Sequence, residues 1–356
     1  MVFTRSRLVL SMLAALCATF HGRAALAADP AYAVGMRELR LVDASRPIKP
    51  SGPFAGTPDR RIDTLVWYPA KGGAQEPDKR DAPAAKGGPW PLVIYSHGTW
   101  GHADNAMHIV RHLVRHGYVV AAPNYPLASR NAFTRLERAD IGEAAAQVGD
   151  IRFVIDRLLA DRTLAPLIDP EKIGTTGHSL GGVMSYFASF GTNVRDPRIK
   201  ATAPIAAGDP LVAALWQDMG FAGTGHSAVS VPVLFLSADR DMFVRPTGRP
   251  HAAFSRVETP KYELTIKGGN HVWFHDGAEK AVDGINPDCL FFGGKADAAR
   301  NPACMEGPLI DPAVQQEIAR AALLDFFDGY LKGQNEARVR LEALGRRPDT
   351  ELLVEE

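Results

Sequence analysis

Residues 171–182 read Glu-Lys-Ile-Gly-Thr-Thr-Gly-His-Ser-Leu-Gly-Gly, and this stretch decides the fold. A β-like run at 172–176 leads directly into the Gly-x-Ser-x-Gly pattern of 177–181, and a helix-compatible segment follows at 183–190. A strand, a sharp turn and a helix in immediate succession form the context of a nucleophile elbow, which presents a serine hydroxyl at the edge of a sheet. Ser179 is therefore the candidate nucleophile. The alternative is an ordinary Gly-rich turn in which the serine caps a helix.

The rest of the chain alternates short hydrophobic strands with helices. Two alternating segments near the start, 37–42 and 62–68, predict an antiparallel strand pair. Further continuous apolar runs, typical of strands buried on both faces, lie at 91–96, 118–122, 201–206, 233–236 and 262–266. Helical patterns lie at 105–116, 142–159 and 312–331. With the elbow strand included, the sequence predicts an α/β fold with a mostly parallel eight-stranded sheet and helices on both faces.

Two polar loops follow the last two predicted strands, on the sheet edge where Ser179 is expected. The first loop carries Asp239 and Asp241, and the second carries His271 after two glycines. A serine hydroxyl needs a base to take its proton and an acid to orient that base, and such sites commonly use the chain order Ser, Asp, His. His271 is the candidate base, with His275 as its competitor. Asp241 is the candidate acid, with Asp239 as its competitor.

Such chemistry also needs two N–H donors for the oxyanion of the tetrahedral intermediate. The backbone N–H of Leu180, directly after the candidate nucleophile, is the first candidate. His-Gly-Thr-Trp-Gly at 97–101 follows a buried strand, and Gly98 allows the backbone to turn so that the N–H of Thr99 points at the substrate. We therefore expect an oxyanion hole formed by Thr99 and Leu180.

The first 27 residues have the features of a secretory signal peptide. Arg5 and Arg7 precede an apolar run at 8–20, and Ala-Leu-Ala at 25–27 is a small-x-small cleavage pattern. The apolar run is shorter than a membrane span requires, so we expect no transmembrane segment. The sequence predicts a periplasmic or secreted protein whose residues 28–356 form a single domain.

Export changes how the cysteines are interpreted. Cys17 lies in the predicted signal peptide, which leaves Cys289 and Cys304 as an even pair in an oxidising compartment. We predict that they form a disulfide; the alternative is two free buried thiols. Both lie in the segment 276–307, which is longer than a simple connection and is predicted to be a loop insertion near the site.

Composition and motifs argue against several other classes of function. Lys and Arg together number 40, as do Asp and Glu, and no polybasic run is present, so we expect no nucleic-acid partner. No Gly-rich phosphate loop followed by lysine is found. His108, His112 and His116 share a helical spacing but lack a His-Glu-x-x-His arrangement, and a surface stripe is the interpretation favoured over a metal site. We expect no metal and no other cofactor.

Four stretches carry a resemblance to a known family. They are Val-Trp-Tyr-Pro-Ala at 66–70, Ile-Tyr-Ser-His-Gly at 94–98, Asp-Pro-Glu-Lys-Ile-Gly at 169–174 and Gly-His-Ser-Leu-Gly-Gly at 177–182. The chain resembles the α/β-hydrolase superfamily, and within it the exported bacterial predicted dienelactone hydrolases that are similar to platelet-activating-factor acetylhydrolases. Dienelactone hydrolases use a cysteine nucleophile where this chain has Ser179, which argues against the lactone activity that the resemblance implies. A serine with a His/Asp pair instead fits hydrolysis of acyl esters through an acyl-enzyme.

The leading hypothesis is therefore a serine carboxylesterase acting on a small-molecule ester. A serine peptidase on the same fold and a non-catalytic binding protein are the alternatives. We expect the segment 276–307 to fold over the substrate pocket together with five apolar side chains, namely Trp100, Met242, Phe243, Trp273 and Phe274. Oligomeric state is not indicated by the sequence.

Overall fold

The computed structural model describes residues 29–132, 140–211, 219–221, 223–244, 251–258, 260–277, 284–298, 300–305 and 307–356. The predicted signal peptide lies outside these residues. Across the described ranges, no helix is both long enough and apolar enough to cross a bilayer.

A single twisted sheet runs through the described residues. Its ten strands are β1 (Ala33–Asp43), β2 (Arg60–Ala70), β3 (Lys79–Arg80), β4 (Trp90–Ser96), β5 (Val119–Pro123), β6 (Ile168–His178), β7 (Ile199–Ile205), β8 (Val233–Ala238), β9 (Lys261–Ile266) and β10 (Thr350–Glu355). The spatial order is β10-β9-β8-β7-β6-β4-β5-β2-β1-β3. Strands β4 to β9 are parallel, whereas β2 and β10 pair antiparallel with the strands beside them. The mostly parallel sheet predicted from the sequence is confirmed.

Helices cover both faces of this sheet. They are α1 (Met107–Arg115), α2 (Ala144–Ala160), α3 (Leu180–Phe190), α4 (His251–Arg256), α5 (Pro287–Ala298), α6 (Pro312–Leu331) and α7 (Asn335–Leu344). Apolar residues of α2 and α3 pack on one face with a core that includes Ile94 and Phe235. Apolar residues of α1 and α6 pack on the other face with a core that includes Val93 and Leu234. The side chains of adjacent strand residues thus point to opposite faces of the sheet and pack in different cores, as the pleat requires.

Two strands were not among the eight predicted. Strand β3 has only two residues and lies in a stretch rich in proline and glycine, where no alternating pattern marks it. Strand β10 follows α7 and pairs antiparallel with β9 at the edge of the sheet. After the buried Thr350 its residues alternate between exposed and partly buried, and its charged side chains are typical of an edge strand.

The topology brings the carboxyl ends of β4, β6, β8 and β9 to one edge. The loops that carry Thr99, Ser179, Asp241 and His271 all start there. Because parallel strands direct their following loops to the same side, residues far apart in sequence can form one site at this edge.

Candidate active site

Ser179 occupies a strained turn between β6 and α3. Its φ of 56° and ψ of −122° lie outside the regions that most side chains adopt, and its N–H donates to the carbonyl of Ile205 at 2.8 Å. A Cβ atom on Gly177 would lie 2.5 Å from the carbonyl oxygen of Ser96, and one on Gly181 would overlap the same oxygen. Glycine is therefore required on both sides of Ser179, because β4 passes directly behind the turn.

His271 and Asp241 form a buried hydrogen-bonded pair. The Nδ1 of His271 lies 2.6 Å from Oδ2 of Asp241, and neither side chain is more than a few per cent exposed. The other oxygen of Asp241 accepts the N–H groups of Phe243 and Val244 at 2.9 and 3.1 Å. The carboxylate is thus fixed by its own loop and holds the imidazole in one orientation.

The two competitors are used elsewhere. Asp239 accepts the N–H of Gly268 at 2.7 Å at an exposed position, and so joins the ends of β8 and β9. His275 Nε2 lies 2.7 Å from Nδ1 of His178. The structure thus brings Asp241, and not Asp239, to His271.

Burial and charge act in opposite directions on His271. Burial lowers the pKa of His271, but the charge of Asp241, the hydrogen bond to it and the charge of Asp288 together raise that pKa above its ordinary value. A base with a raised pKa accepts a proton more readily, which suits an imidazole that must become positively charged during a reaction.

A pair of neutral histidines lies beside His271, the candidate base. Nε2 of His178 is 3.1 Å from the carbonyl oxygen of His271, and since a carbonyl only accepts, this nitrogen carries the proton. Nδ1 of His178 is then an acceptor for the Nε2–H of His275. Burial, followed by the charge of His271, lowers the pKa of His275 to about 3. Both rings remain uncharged at neutral pH, and His178 supports the backbone of His271.

The loop after β4 packs against the elbow. A Cβ on Gly98 would lie 3.0 Å from both the carbonyl oxygen of His178 and the Cβ of Ser179. Trp100 has a left-handed φ of 61°, and its N–H donates to the carbonyl of Ala128 at 2.8 Å. Among the described residues, by contrast, the N–H groups of Thr99 and Leu180 have no acceptor. These two amides border the same turn.

Ser179 and His271 line one cavity of about 950 Å³. Trp100, Phe243 and Phe291 form an aromatic wall, in which the ring of Phe291 lies 5.6 Å from each of the other two. The wall reaches the base, because Phe243 stacks on the imidazole of His271 with ring centroids 4.4 Å apart. The other described residues that line the cavity are Gly98, Thr99, Gly101, Asn105, Arg130, Ile141, His178, Val272 and His275.

Three of the side chains expected to line the pocket are not among the described residues that line it. Trp273 and Phe274 belong to a single 3₁₀ turn after His271 and are buried; Phe274 packs in the core beneath α6. Met242 packs instead against Ile285 and Cys304. The short turn directs its aromatic side chains inward, which a pattern of consecutive apolar residues does not indicate.

The segment 276–307 contributes to the site through α5. Cys289 and Cys304 form the predicted disulfide, with an S–S distance of 2.03 Å. Phe291, two residues beyond Cys289, lines the cavity that contains Ser179. The segment that was predicted to be a loop thus includes a helix of 12 residues, Pro287–Ala298.

Sequence reasoning missed two buried residues that contact the base loop. Asp288 accepts the N–H of His271 at 2.9 Å, and Gln315 of α6 binds both the N–H and the carbonyl of Asn270, at 3.0 and 2.8 Å. Neither residue belongs to a motif or follows a strand, so no sequence signal separated them from other polar residues. Within the described ranges no cluster of side chains that could hold a metal ion is found.

Comparison with known proteins identifies the family to which the chain belongs. Residues 81–267 match the model of the dienelactone hydrolase family, which is more than half of the chain. The chain belongs to this family. As a member of the dienelactone hydrolase family it is an ester hydrolase of the α/β-hydrolase superfamily. The matched stretch ends before His271 and α5.

The fold is also similar to that of a solved enzyme. A ferulic acid esterase from Streptomyces cinnamoneus superposes with a TM-score of 0.61 at 24% identity, covering 87% of this chain and 93% of that chain. No curated protein sequence matches this family member significantly.

Proposed function

We propose that this dienelactone hydrolase-family protein is an exported serine carboxylesterase, with Ser179 as nucleophile, His271 as base and Asp241 as acid. The observation that carries the proposal is the 2.6 Å contact of Asp241 with His271, on a base that lines the same cavity as Ser179. The hydrogen bond fixes Nδ1 as the protonated nitrogen of the neutral ring, so that Nε2 is available to accept the proton of the serine.

The reaction then proceeds in two halves. Ser179 Oγ attacks the ester carbonyl while His271 takes its proton, and the oxyanion accepts hydrogen bonds from the N–H groups of Thr99 and Leu180. The imidazolium returns the proton to the leaving alcohol, which leaves an acyl-enzyme. A water molecule then attacks the acyl-enzyme while His271 takes one of its protons. The bond from the acyl carbon to Ser179 Oγ breaks, the imidazolium returns the proton to Oγ, and the acid is released. Asp241 orients the imidazole and stabilises its positive charge throughout.

The aromatic wall supports an apolar acyl group or alcohol as the substrate. Trp100, Phe243 and Phe291 offer flat apolar faces, which favour planar or hydrocarbon groups over charged ones. A substrate panel should therefore contain p-nitrophenyl esters from acetate to palmitate together with an aromatic ester such as methyl ferulate.

The test compares the mature protein with Ser179→Ala on this panel. The expected result is ester hydrolysis that falls by about 10⁴-fold or more in the variant, since removing the nucleophile leaves only binding and oxyanion stabilisation. Ser185→Ala is the matched control: Ser185 is buried on α3 one turn beyond the elbow and donates to the carbonyl of Gly181, but it does not line the cavity. Equal activity in wild type and Ser179→Ala would refute the proposal.

Export and the nature of the nucleophile need separate tests. The export part predicts that the amino terminus of the protein recovered from outside the cytoplasm lies near Ala28, as amino-terminal sequencing would determine. A mature protein that still begins at Met1 would contradict it. A fluorophosphonate probe that labels wild type but not Ser179→Ala would identify the serine independently of the substrate chosen.

A further inference from the structure

We propose that Asp288 is a positioning residue that holds the acid loop and the base loop of this site in register. The inference rests on the proposed function, because it assigns Asp288 a role in the geometry of the Asp241–His271 pair. Asp288 lies on α5, outside the stretch matched by the family model, and none of the motifs found in the sequence includes this residue.

The carboxylate of Asp288 accepts three backbone N–H groups from two loops. Its Oδ2 accepts the N–H of Met242 at 3.0 Å and that of His271 at 2.9 Å, and its Oδ1 accepts the N–H of Val272 at 3.0 Å. Met242 directly follows the candidate acid. One oxygen atom thus joins the backbone of the acid loop to the backbone of the base itself.

The helix that carries Asp288 is itself anchored to the acid loop. Asn286 accepts the N–H of Asp288 at 3.0 Å with its Oδ1 and donates from Nδ2 to the carbonyl of Arg240 at 2.7 Å. The N–H of Asn286 donates to the carbonyl of Cys304 at 2.8 Å, and the disulfide of Cys304 ends on Cys289, the neighbour of Asp288. The position of the carboxylate is therefore fixed by hydrogen bonds to the acid loop through Asn286 and by the disulfide of the neighbouring Cys289.

Hydrogen bonding alone does not require a charged group here, yet the site holds one. Asp288 is fully buried, and burial followed by the charge of Asp241 raises the pKa of Asp288 above its ordinary value. Both of its oxygens accept backbone N–H groups, which stabilises the ionised carboxylate against this effect. Burying a second carboxylate beside Asp241 costs free energy unless hydrogen bonds or a positive charge compensate for the lost hydration. Three N–H donors and the imidazolium that forms during the reaction supply compensating charge.

The charge of Asp288 also acts on the base. The groups facing His271 are Asp241 and Asp288, which raise the pKa of its imidazole, and the neutral rings of His178 and His275. Removing the charge of Asp288 must therefore lower the pKa of His271. A residue with a merely structural role, which only held α5 in place, would not shift this titration.

The experiment compares Asp288→Asn and Asp288→Ala with wild type on a p-nitrophenyl ester. The amide keeps one acceptor oxygen but turns an N–H toward one of the three donors, so we expect kcat to fall about ten- to a hundredfold, and further in Asp288→Ala, with KM nearly unchanged. Because both variants lose the charge, the acid limb of the kcat/KM profile should move to lower pH by roughly half a unit in both. A kcat within about twofold of wild type and an unshifted acid limb would overturn the proposal.

Asp239→Asn is the matched control. It also converts a carboxylate into an amide, and Asp239 also accepts an N–H from the loop after β9, but it is exposed and does not contact His271. Its kcat and acid limb should remain those of wild type. A loss in Asp239→Asn equal to that in Asp288→Asn would mean that any bridge between these two loops suffices, which contradicts a specific role for Asp288.

Two further measurements separate this proposal from its premises. Asn286→Ala leaves the charge of Asp288 in place but loosens its helix, so kcat should fall with no shift of the acid limb; this variant also serves if Asp288→Asn does not fold. If wild type has no esterase activity, the proposed function fails, but the NMR titration of His271 in the Ser179→Ala background still decides the role of Asp288. An unchanged His271 pKa in Ser179→Ala/Asp288→Asn would then refute it.

Discussion

Replacing Gly98 with alanine should impair catalysis without unfolding the protein. The new Cβ would lie 3.0 Å from the carbonyl oxygen of His178 and 3.0 Å from the Cβ of Ser179, whereas ordinary van der Waals contact begins at 3.4 Å. Neither neighbour can move, because one is backbone and the other belongs to the strained elbow. The loop after β4 must therefore retreat by a few tenths of an ångström, and Thr99 moves with it.

The size of the effect follows from how strongly an oxyanion hole depends on distance. Donors act at about 2.7–3.1 Å, and complete loss of one donor costs roughly 10²–10³ in kcat. A partial retreat should therefore lower kcat by about ten- to a hundredfold. KM should change less, because Trp100 moves with the loop by only a few tenths of an ångström while Phe243 and Phe291 stay in place. Overpacking also costs about 1–3 kcal/mol of stability, which a melting curve would register as a few degrees.

The assay is steady-state hydrolysis of p-nitrophenyl butyrate, with the rate of fluorophosphonate labelling as a second readout. Gly73→Ala is the control, since the nearest atom to its Cβ would be a Glu76 side-chain oxygen 3.9 Å away in an exposed loop. If Gly98→Ala is folded and retains the wild-type kcat, the loop is not held against the elbow, and Thr99 does not donate to the oxyanion.

Three further outcomes are expected. Asp241→Asn should lower kcat by about 10³–10⁴-fold, because the imidazole loses the acceptor that orients it. The kcat of Asp239→Asn should stay within about twofold of the wild-type value. Equal losses in the two variants would contradict the assignment of Asp241 as the acid. The base must be neutral to act, so the raised pKa of His271 places the acid limb of kcat/KM above its ordinary 6.5, and a limb below that value would contradict the pairing with Asp241. Replacing both Cys289 and Cys304 with serine should cost roughly 3 kcal/mol of stability, measured by denaturant unfolding. It should also lower kcat, measured by steady-state kinetics. An undiminished kcat would show that the disulfide does not support the site.

Local sequence patterns were sufficient for the elements that form the candidate site. The turn at Ser179, the strands β8 and β9 and the long helix α6 each carry their signal within a few residues: flanking glycines, a continuous apolar run, or a regular apolar period. Helix α6 begins and ends at the predicted residues, 312 and 331. Its start carries a clear signal, because Asp311 accepts the N–H of Ala313 as a cap and Pro312 follows it.

What the sequence did not reveal depends on contacts between distant segments. Asp288 reaches His271 only because the chain folds back over the acid loop. Its partners are backbone N–H groups, which every residue except proline has, so the sequence of the residues that donate them carries no signal. Trp273 and Phe274 illustrate the same limit, since a tight turn determines whether an aromatic side chain faces a pocket or a core. Strand β10 was missed because its apolar residues number only three, between Glu351 and Glu355, which is shorter than the continuous apolar run of a buried strand.

The stacking of Phe243 on His271 has a consequence for changing the specificity of this enzyme. The ring that forms part of the aromatic wall is also the surface that keeps water from one face of the base. A smaller residue at 243 would widen the cavity, but it would also hydrate the imidazole and weaken its interaction with Asp241. Selectivity for bulkier esters and basicity of the histidine are therefore coupled through one side chain, so substitutions at Trp100 or Phe291 offer a way to reshape the pocket without that coupling.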